Sequence, residues 1–274
     1  MPCTGIITPT GNAPTFTDRF GFSHPIYRFE PGTITGTIFL LLGGTYGGGG
    51  PGVPLAITTK GFDTTGSGHD MTSDECNSLK NLRDLGWRCL MFQNDETFVS
   101  TDTTTKSNQW WIEDLCKWMD NTYTGGVGRF LVGHSAGAGL VGVHLHHIQT
   151  GQGLGTWGTG ALSFPFPMND ANKLTDFQTS TFNGKNTLFV SGKSGSDTIG
   201  YQNTKDMFNI ACPSTGKSGH EAINTDHNVF SLVNSSTGRR LIVDIIHNFF
   251  VNYSSASLYC QPAPGETCDK CGFT

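Results

Sequence analysis

The 274-residue sequence has no long apolar run, few charged residues and no excess of basic residues. A helix that crosses a bilayer needs about 18 to 20 apolar residues. The apolar run over residues 38–42 stops at Gly43 and no other run approaches that length, so we expect no membrane span. Charged residues make up 14% of the chain and the formal net charge is −5, which leaves no basic field to attract a phosphate backbone. We therefore expect no nucleic-acid partner.

Complete nucleotide and metal motifs are also missing. Gly216, Lys217 and Ser218 resemble the end of a phosphate-binding loop, but Ala211 stands where that loop requires a glycine. The histidines at 144, 146 and 147 have no carboxylate or cysteine at ligand spacing beside them. The sequence therefore predicts neither a nucleotide triphosphatase nor a metal site, and we expect no cofactor.

Cysteine is present in an even number, which is typical of a disulfide framework. The eight cysteines are Cys3, Cys76, Cys89, Cys116, Cys212, Cys260, Cys268 and Cys271. Low charge and glycosylation-type triplets at Asn234 and Asn252 favour the same interpretation, namely a secreted protein or another oxidising compartment. Eight cysteines allow 105 pairings, and spacing does not choose among them.

Apolar runs alternate with amphipathic segments along the chain, which predicts crossover units and an α/β fold with a mostly parallel central sheet flanked by helices. Strands are predicted over residues 26–29, 37–42, 87–92, 129–132, 160–166 and 186–190, and helices over 73–85, 108–123, 199–210 and 238–253. Three segments follow from this pattern: an irregular lead-in with one strand, a main α/β domain and a cysteine-containing tail, over residues 1–35, 36–253 and 254–274.

The most informative motif is Gly133-His134-Ser135-Ala136-Gly137, which lies between an apolar strand and a helical segment. This order is typical of a nucleophile elbow, where a strained turn lifts the serine hydroxyl out of the sheet. Flanking glycines are needed because side chains there would collide with the strand and the helix. Ser135 is therefore the candidate nucleophile.

From about residue 36 to residue 253 the chain resembles the α/β-hydrolase superfamily. The elbow is similar to that of its serine esterases and lipases, and the glycine loop after residues 37–42 lies where the family carries its oxyanion loop. The resemblance implies a Ser-His-Asp triad, with the acid and then the histidine following the serine in the chain.

The general base is expected after the last strand and before the closing helix, where His220 and His227 both lie. We prefer His220, because a Gly-His pair at this point is common in the family. The acid is expected at Asp197, seven residues after the strand over 186–190, with Asp170 as the alternative. Both choices remain open at the level of sequence.

The oxyanion hole needs two N–H donors. Ala136, which follows the nucleophile, is one candidate, and Thr45 or Tyr46 is the other. Many relatives have His-Gly before this second donor, whereas this chain has Gly43 and Gly44. Tyr46 and His134 are also candidates for contact with the substrate.

These residues predict a serine hydrolase that cleaves carboxylic esters through an acyl-enzyme. No long inserted lid is evident between residues 160 and 188, which favours an open cleft and bulky or polymeric esters, such as polyesters or feruloyl or acetyl esters. A peptidase or amidase, an acyltransferase, a lyase and an inactive binding module are the alternatives on the same scaffold.

Overall fold

The computed structural model describes residues 3, 5–47, 56–62, 70–99, 108–124, 126, 128–141, 157–162, 186–194, 198–212, 218–252 and 269–271. The strands are β1 (Gly11–Asn12), β2 (Phe16–Thr17), β3 (Ser23–His24), β4 (Ile26–Phe29), β5 (Gly36–Gly47), β6 (Ala56–Thr59), β7 (Trp87–Phe92), β8 (Thr97–Val99), β9 (Arg129–His134), β10 (Trp157–Leu162), β11 (Asn186–Gly192), β12 (Ser218–Ile223) and β13 (Asp269–Cys271). The helices are α1 (Ser73–Asp84), α2 (Asn108–Thr122), α3 (described over 136–141), α4 (Thr198–Ala211) and α5 (Leu241–Asn252).

The main sheet has the strand order β1-β4-β7-β5-β9-β10-β11-β12-β13. From β7 to β12 neighbouring strands run parallel, and the pairs at the two edges are antiparallel. In parallel sheets ligands bind beyond the carboxyl ends of the strands. The mostly parallel α/β architecture predicted from the sequence is confirmed.

Strands β5, β7, β9 and β11 are apolar on both faces because helices cover both sides of the sheet. On β5, Ile38, Leu40 and Leu42 join a core with α1 and α5, while Phe39 and Leu41 face the opposite core with α2, α3 and α4. The same alternation along β9 places the side chain of His134 on the α1/α5 side.

The predicted glycine loop is partly strand. β5 continues through Gly47 and its outer half pairs with β6 in an antiparallel arm, with a register shift between Gly43 and Thr45. The sequence predicted a loop here because glycine has low strand propensity. Pairing with β6 overrides that preference.

β12 is a second difference. The sequence predicts no strand over residues 218–223, because their Ser, Gly, His and Glu residues give no apolar run. In the structure this segment is the parallel neighbour of β11, and β13 extends the same edge. The two histidines considered as base therefore lie in different elements.

The N-terminal segment is tied to the rest of the molecule. β4 pairs with β7 in the main sheet, and Cys3 forms a disulfide with Cys76 of α1. Asn234 is buried and its amide donates to Asp244 at 2.7 Å, so this glycosylation-type triplet does not present its asparagine at the surface. The Cys3–Cys76 disulfide is compatible with the predicted oxidising compartment, whereas the buried Asn234 does not support it.

Candidate active site

Ser135 is the turn between β9 and α3. Its φ of +54° is the one positive value recorded for a non-glycine residue in the described part of the chain. An L-residue in this region costs about 1 to 3 kcal/mol, and such strain concentrates at functional sites. The carbonyl oxygen of Ser135 accepts from Ala138 N at 2.9 Å, which starts the helix directly behind the serine. The chain therefore makes the sharp strand-turn-helix that the motif predicts.

Glycines surround this turn because no side chain fits there. A Cβ on Gly133 would overlap the carbonyl oxygen of Gly137, and a Cβ on Gly137 would overlap that of Leu41. A Cβ on Gly43 would lie 2.6 Å from Ala136 N and 2.7 Å from the carbonyl oxygen of His134. Gly43 of β5 therefore packs directly against the elbow.

Donors for an oxyanion are expected where β5 meets the start of α3. The first N–H groups of a helix have no intrahelical partner, and Ala136 provides such a group beside Ser135. Thr45 and Tyr46 pair with Thr58 and Ile57 in the β5–β6 arm. The register shift leaves Gly44 as the bulged residue between Gly43 and Thr45, so Gly44 joins the predicted Thr45 and Tyr46 as a candidate donor.

His220 is not at the elbow. It lies within β12, 3% exposed, with Nε2 3.0 Å from Ser191 Oγ and its ring stacked on Phe208 of α4. Two strands, β10 and β11, separate β12 from β9, which corresponds to about 14 Å at the usual strand spacing. The sequence preference for His220 as the base is not supported, because an imidazole cannot span that distance to Ser135.

His227 lies beside the elbow instead. It belongs to the loop over residues 224–231 that follows β12, which we call the base loop. The rings of His227 and His134 have centroids 5.0 Å apart, and the carbonyl oxygen of His227 lies 2.9 Å from His134 Nε2. The structure therefore brings the second candidate base, and not the first, next to the residue that precedes Ser135.

His134 itself is buried, with 5% of its surface exposed. Burial lowers its pKa to about 3, and the neighbouring His227 and Lys60 act in the same direction, although the hydrogen bond to the His227 carbonyl opposes them. The ring is therefore neutral at physiological pH. The contact of His134 with substrate stays a prediction.

A cavity of about 280 Å³ lies between the base loop and the start of α1. Its lining includes His134 and His227 together with Lys60 and Glu75. Lys60 Nζ lies 2.7 Å from Glu75 Oε1, and Glu75 also completes the capping box of α1. The lysine charge is thus compensated, and the cavity wall beside His227 is polar.

Asp197 and Asp170, the two candidate acids, lie outside the described residues. The strand that leads to Asp197 does reach the base loop: Ser194 N donates to the carbonyl oxygen of Thr225 at 2.9 Å. At Gly192 a Cβ would overlap the carbonyl oxygen of Asp226. The chain entering the segment with Asp197 therefore runs alongside the chain entering His227.

The described residues show neither a metal cluster nor a membrane-spanning helix. No group of three histidine, cysteine or acidic side chains comes close enough there to bind a metal ion. No helix within those residues has the length and apolar character of a bilayer-spanning segment. The histidines at 144, 146 and 147 lie outside the described part of the chain.

Solved structures share this architecture at low sequence identity. The esterase domain of a Rhodothermus marinus protein has a TM-score of 0.53 and 14% identity, covering 88% of this chain and 98% of that one. Brefeldin A esterase, a bacterial homologue of human hormone sensitive lipase, has a TM-score of 0.59 and 12% identity, over 89% and 76% of the two chains. Porphyromonas gingivalis dipeptidyl peptidase 4 has a TM-score of 0.51 and 10% identity, over 81% of this chain and 33% of that chain.

No protein-family model and no curated protein sequence matches the chain. The sheet order, the elbow and these structural similarities together identify the α/β-hydrolase fold, as the sequence motif predicted. The fold hosts both esterases and a peptidase among these structures, so the chemistry has to be argued from the site.

Proposed function

We propose that this chain is a cofactor-independent serine hydrolase that cleaves carboxylic esters through a covalent acyl-enzyme. The observation that carries the proposal is the strained backbone of Ser135, with φ +54°, held between close-packed glycines at the carboxyl end of β9. Such strain persists only where the surrounding structure enforces it, and an elbow of this shape exposes the serine hydroxyl to a substrate. The esterase structures that share the fold agree with ester chemistry.

In this proposal His227 is the general base. A serine hydroxyl is a weak nucleophile at its ordinary pKa and needs a base to take its proton. His227 is favoured over His220 because its loop contacts the residue next to Ser135, whereas His220 bonds to Ser191 in the sheet interior. Asp197 remains the proposed acid, with Asp170 as the alternative, since the acid holds the imidazole in the required tautomer.

The reaction has two halves. His227 takes the proton of Ser135 Oγ as that oxygen attacks the carbonyl carbon, and the resulting oxyanion accepts hydrogen bonds from the Ala136 N–H and from a second donor at Gly44, Thr45 or Tyr46. The intermediate collapses, the ester C–O bond breaks, and the leaving alkoxide takes the proton from His227. Water then attacks the acyl carbon with His227 again as base, which releases the carboxylic acid and restores Ser135.

The substrate class is proposed as small-molecule or polymeric carboxylic esters. A p-nitrophenyl butyrate assay and labelling with a fluorophosphonate probe test the reaction, with Ser135→Ala as the matched control. We expect hydrolysis and labelling by the parent, and a loss of at least about 10³-fold in kcat/KM with no labelling for the variant.

Three results would contradict the proposal. Equal activity of the parent and Ser135→Ala would remove the nucleophile. Hydrolysis of peptide or anilide substrates without ester hydrolysis would favour an amidase. An unlabelled parent that hydrolyses neither class would favour a binding module on the same scaffold.

A further inference from the structure

His134 precedes the candidate nucleophile directly and has no part in the reaction steps above. Its side chain lies on the α1/α5 side of the sheet, because it continues the alternation of Phe130 and Val132 along β9. With 5% of its surface exposed, it presents almost nothing to a substrate. Its hydrogen bond and both of its ring contacts are with the base loop.

The contact that matters is a hydrogen bond between side chain and backbone. His134 Nε2 lies 2.9 Å from the carbonyl oxygen of His227, which also accepts from Val229 N at 3.0 Å. A carbonyl oxygen only accepts, so Nε2 must carry the proton and donate it. The bond therefore fixes both the tautomer of His134 and its link to His227.

The ring of His134 is also held from two sides. Phe230 meets it edge-on with centroids 5.1 Å apart, and the tilted ring of His227 lies 5.0 Å away. Phe230 and His227 both belong to the base loop, so two rings of that loop pack on His134. Packing and hydrogen bonding thus act on the same residue.

The base loop has further ties to other elements. Ser194 N, in the segment after β11, donates to the carbonyl oxygen of Thr225. Asn228 Nδ2 donates to Asp74 Oδ2 of α1 at 3.1 Å. These bonds orient the loop toward β11 and α1, but neither reaches β9. The bond from His134 links His227 to the strand that carries the nucleophile.

We propose that His134 is a positioning residue, which uses its Nε2–H bond to the His227 carbonyl to hold the base at a fixed distance from Ser135. This inference rests on the proposed function, because it assigns a task only if Ser135 and His227 react together. Positioning affects rate steeply, since reacting groups must be aligned within a fraction of an ångström.

The neutral state of His134 suits this task. The base becomes an imidazolium as it takes the serine proton, and a second imidazolium 5.0 Å away would oppose that charge. Burial keeps His134 neutral, so it donates one hydrogen bond without adding a positive charge. A lysine or arginine could donate the same bond only at that electrostatic cost.

The test compares two substitutions of matched length. In His134→Gln the side-chain amide keeps an N–H near the original Nε2, whereas His134→Met fills similar space with no donor. We expect His134→Met to lower kcat for p-nitrophenyl butyrate about tenfold with KM nearly unchanged, and His134→Gln to stay within about threefold of the parent. Equal kcat values for the two folded variants, or a loss confined to KM, would overturn the proposal.

A measurement on the parent covers the case in which His134→Met does not fold. Two-dimensional ¹H–¹⁵N spectra of the imidazoles report the tautomer directly. We expect His134 to remain the neutral Nε2–H form from pH 5 to pH 8, and either an Nδ1–H form or protonation within that range would overturn the proposal.

Ser135→Ala separates this inference from the function on which it rests. If Ser135→Ala keeps its activity, the proposed function fails and the positioning role fails with it. If Ser135→Ala is inactive while His134→Met and His134→Gln have equal kcat, only the positioning role fails.

Discussion

Two regions of the main sheet each contain a serine and a histidine, but they differ in burial and in backbone conformation. At the end of β9, Ser135 sits in a strained turn, half-buried, with His227 packed beside its neighbour His134. Within β11 and β12, Ser191 and His220 share a hydrogen bond of 3.0 Å, yet both are buried in extended strands.

The contrast shows what turns these residues into a candidate active site. Ser191 and His220 share a hydroxyl–imidazole hydrogen bond, but both side chains are buried and offer almost no surface to a substrate. The elbow combines backbone strain, a helix start and a loop histidine. The interior pair satisfies two buried polar groups and links β11 to β12.

The largest expected effect is on catalysis, when His227 is replaced by glutamine, with His220→Gln as the matched comparison. His227→Gln should lower kcat for p-nitrophenyl butyrate about 10³-fold, since it removes the proposed base, with the fold intact by circular dichroism. His220→Gln should leave kcat per folded molecule within about threefold and lower the free energy of unfolding by about 1 to 3 kcal/mol.

Active-site titration with a fluorophosphonate supplies the concentration of active enzyme for His220→Gln, and protein absorbance with circular dichroism supplies the folded concentration for His227→Gln. A folded His220→Gln protein with a large loss of kcat would reverse the assignment and restore His220 as the base.

The next effect is the pH dependence of stability at the elbow. The pKa of His134 is about 3 in the folded chain, against an ordinary value of 6.5. Between these values the unfolded chain binds a proton that the folded chain does not, so the free energy of unfolding falls as the pH falls. From pH 6.5 to 4.5 this residue should contribute a loss of about 2 kcal/mol.

Urea denaturation of the parent and of His134→Gln at both pH values isolates that contribution, because all other titrating groups are shared. An identical pH dependence in the two proteins would mean that His134 titrates normally.

The smallest expected effects are on the free energy of unfolding, and they have opposite signs for Ser135 and Ser191. Ser135→Gly should raise the free energy of unfolding by about 1 kcal/mol, because glycine accepts a positive φ without strain. Ser191→Ala should lower it by about 1 kcal/mol, because His220 loses its 3.0 Å hydrogen bond.

Ser135→Ala is the control, since alanine keeps the Cβ and therefore the strain. Denaturation curves for these three variants sharpen the comparison, and a destabilised Ser135→Gly would show that the turn at 135 is unstrained.

Much of the fold follows from local pattern. The sequence spans 26–29 and 87–92 coincide with β4 and β7, and the helix predicted over 108–123 ends within one residue of α2. These segments have clear apolar periodicity, which is the strongest signal of secondary structure. β12 lacks that signal, because Gly219, His220 and Glu221 interrupt it, and its strand state depends on pairing with β11 and β13.

The candidate site divides in the same way. Gly133 to Gly137 are consecutive, so the elbow is readable from sequence, and the structure gives Ser135 its positive φ. The choice between His220 and His227 was not readable, because both follow β11 in the chain and both have a loop-like composition. Because the sequence predicts no strand over 218–223, β11 is the last predicted strand and His220 falls in the segment after it.

By itself the sequence determined the strand-helix alternation, the glycine-flanked turn and the serine on it, since neighbouring residues fix those features through sterics and hydrophobic period. Only the tertiary structure decided which imidazole stands beside that turn. His134 and His227 are 93 positions apart, and their contact depends on how β12, its loop and β9 are placed across the sheet. Such distances result from the packing of whole elements, which no local pattern encodes.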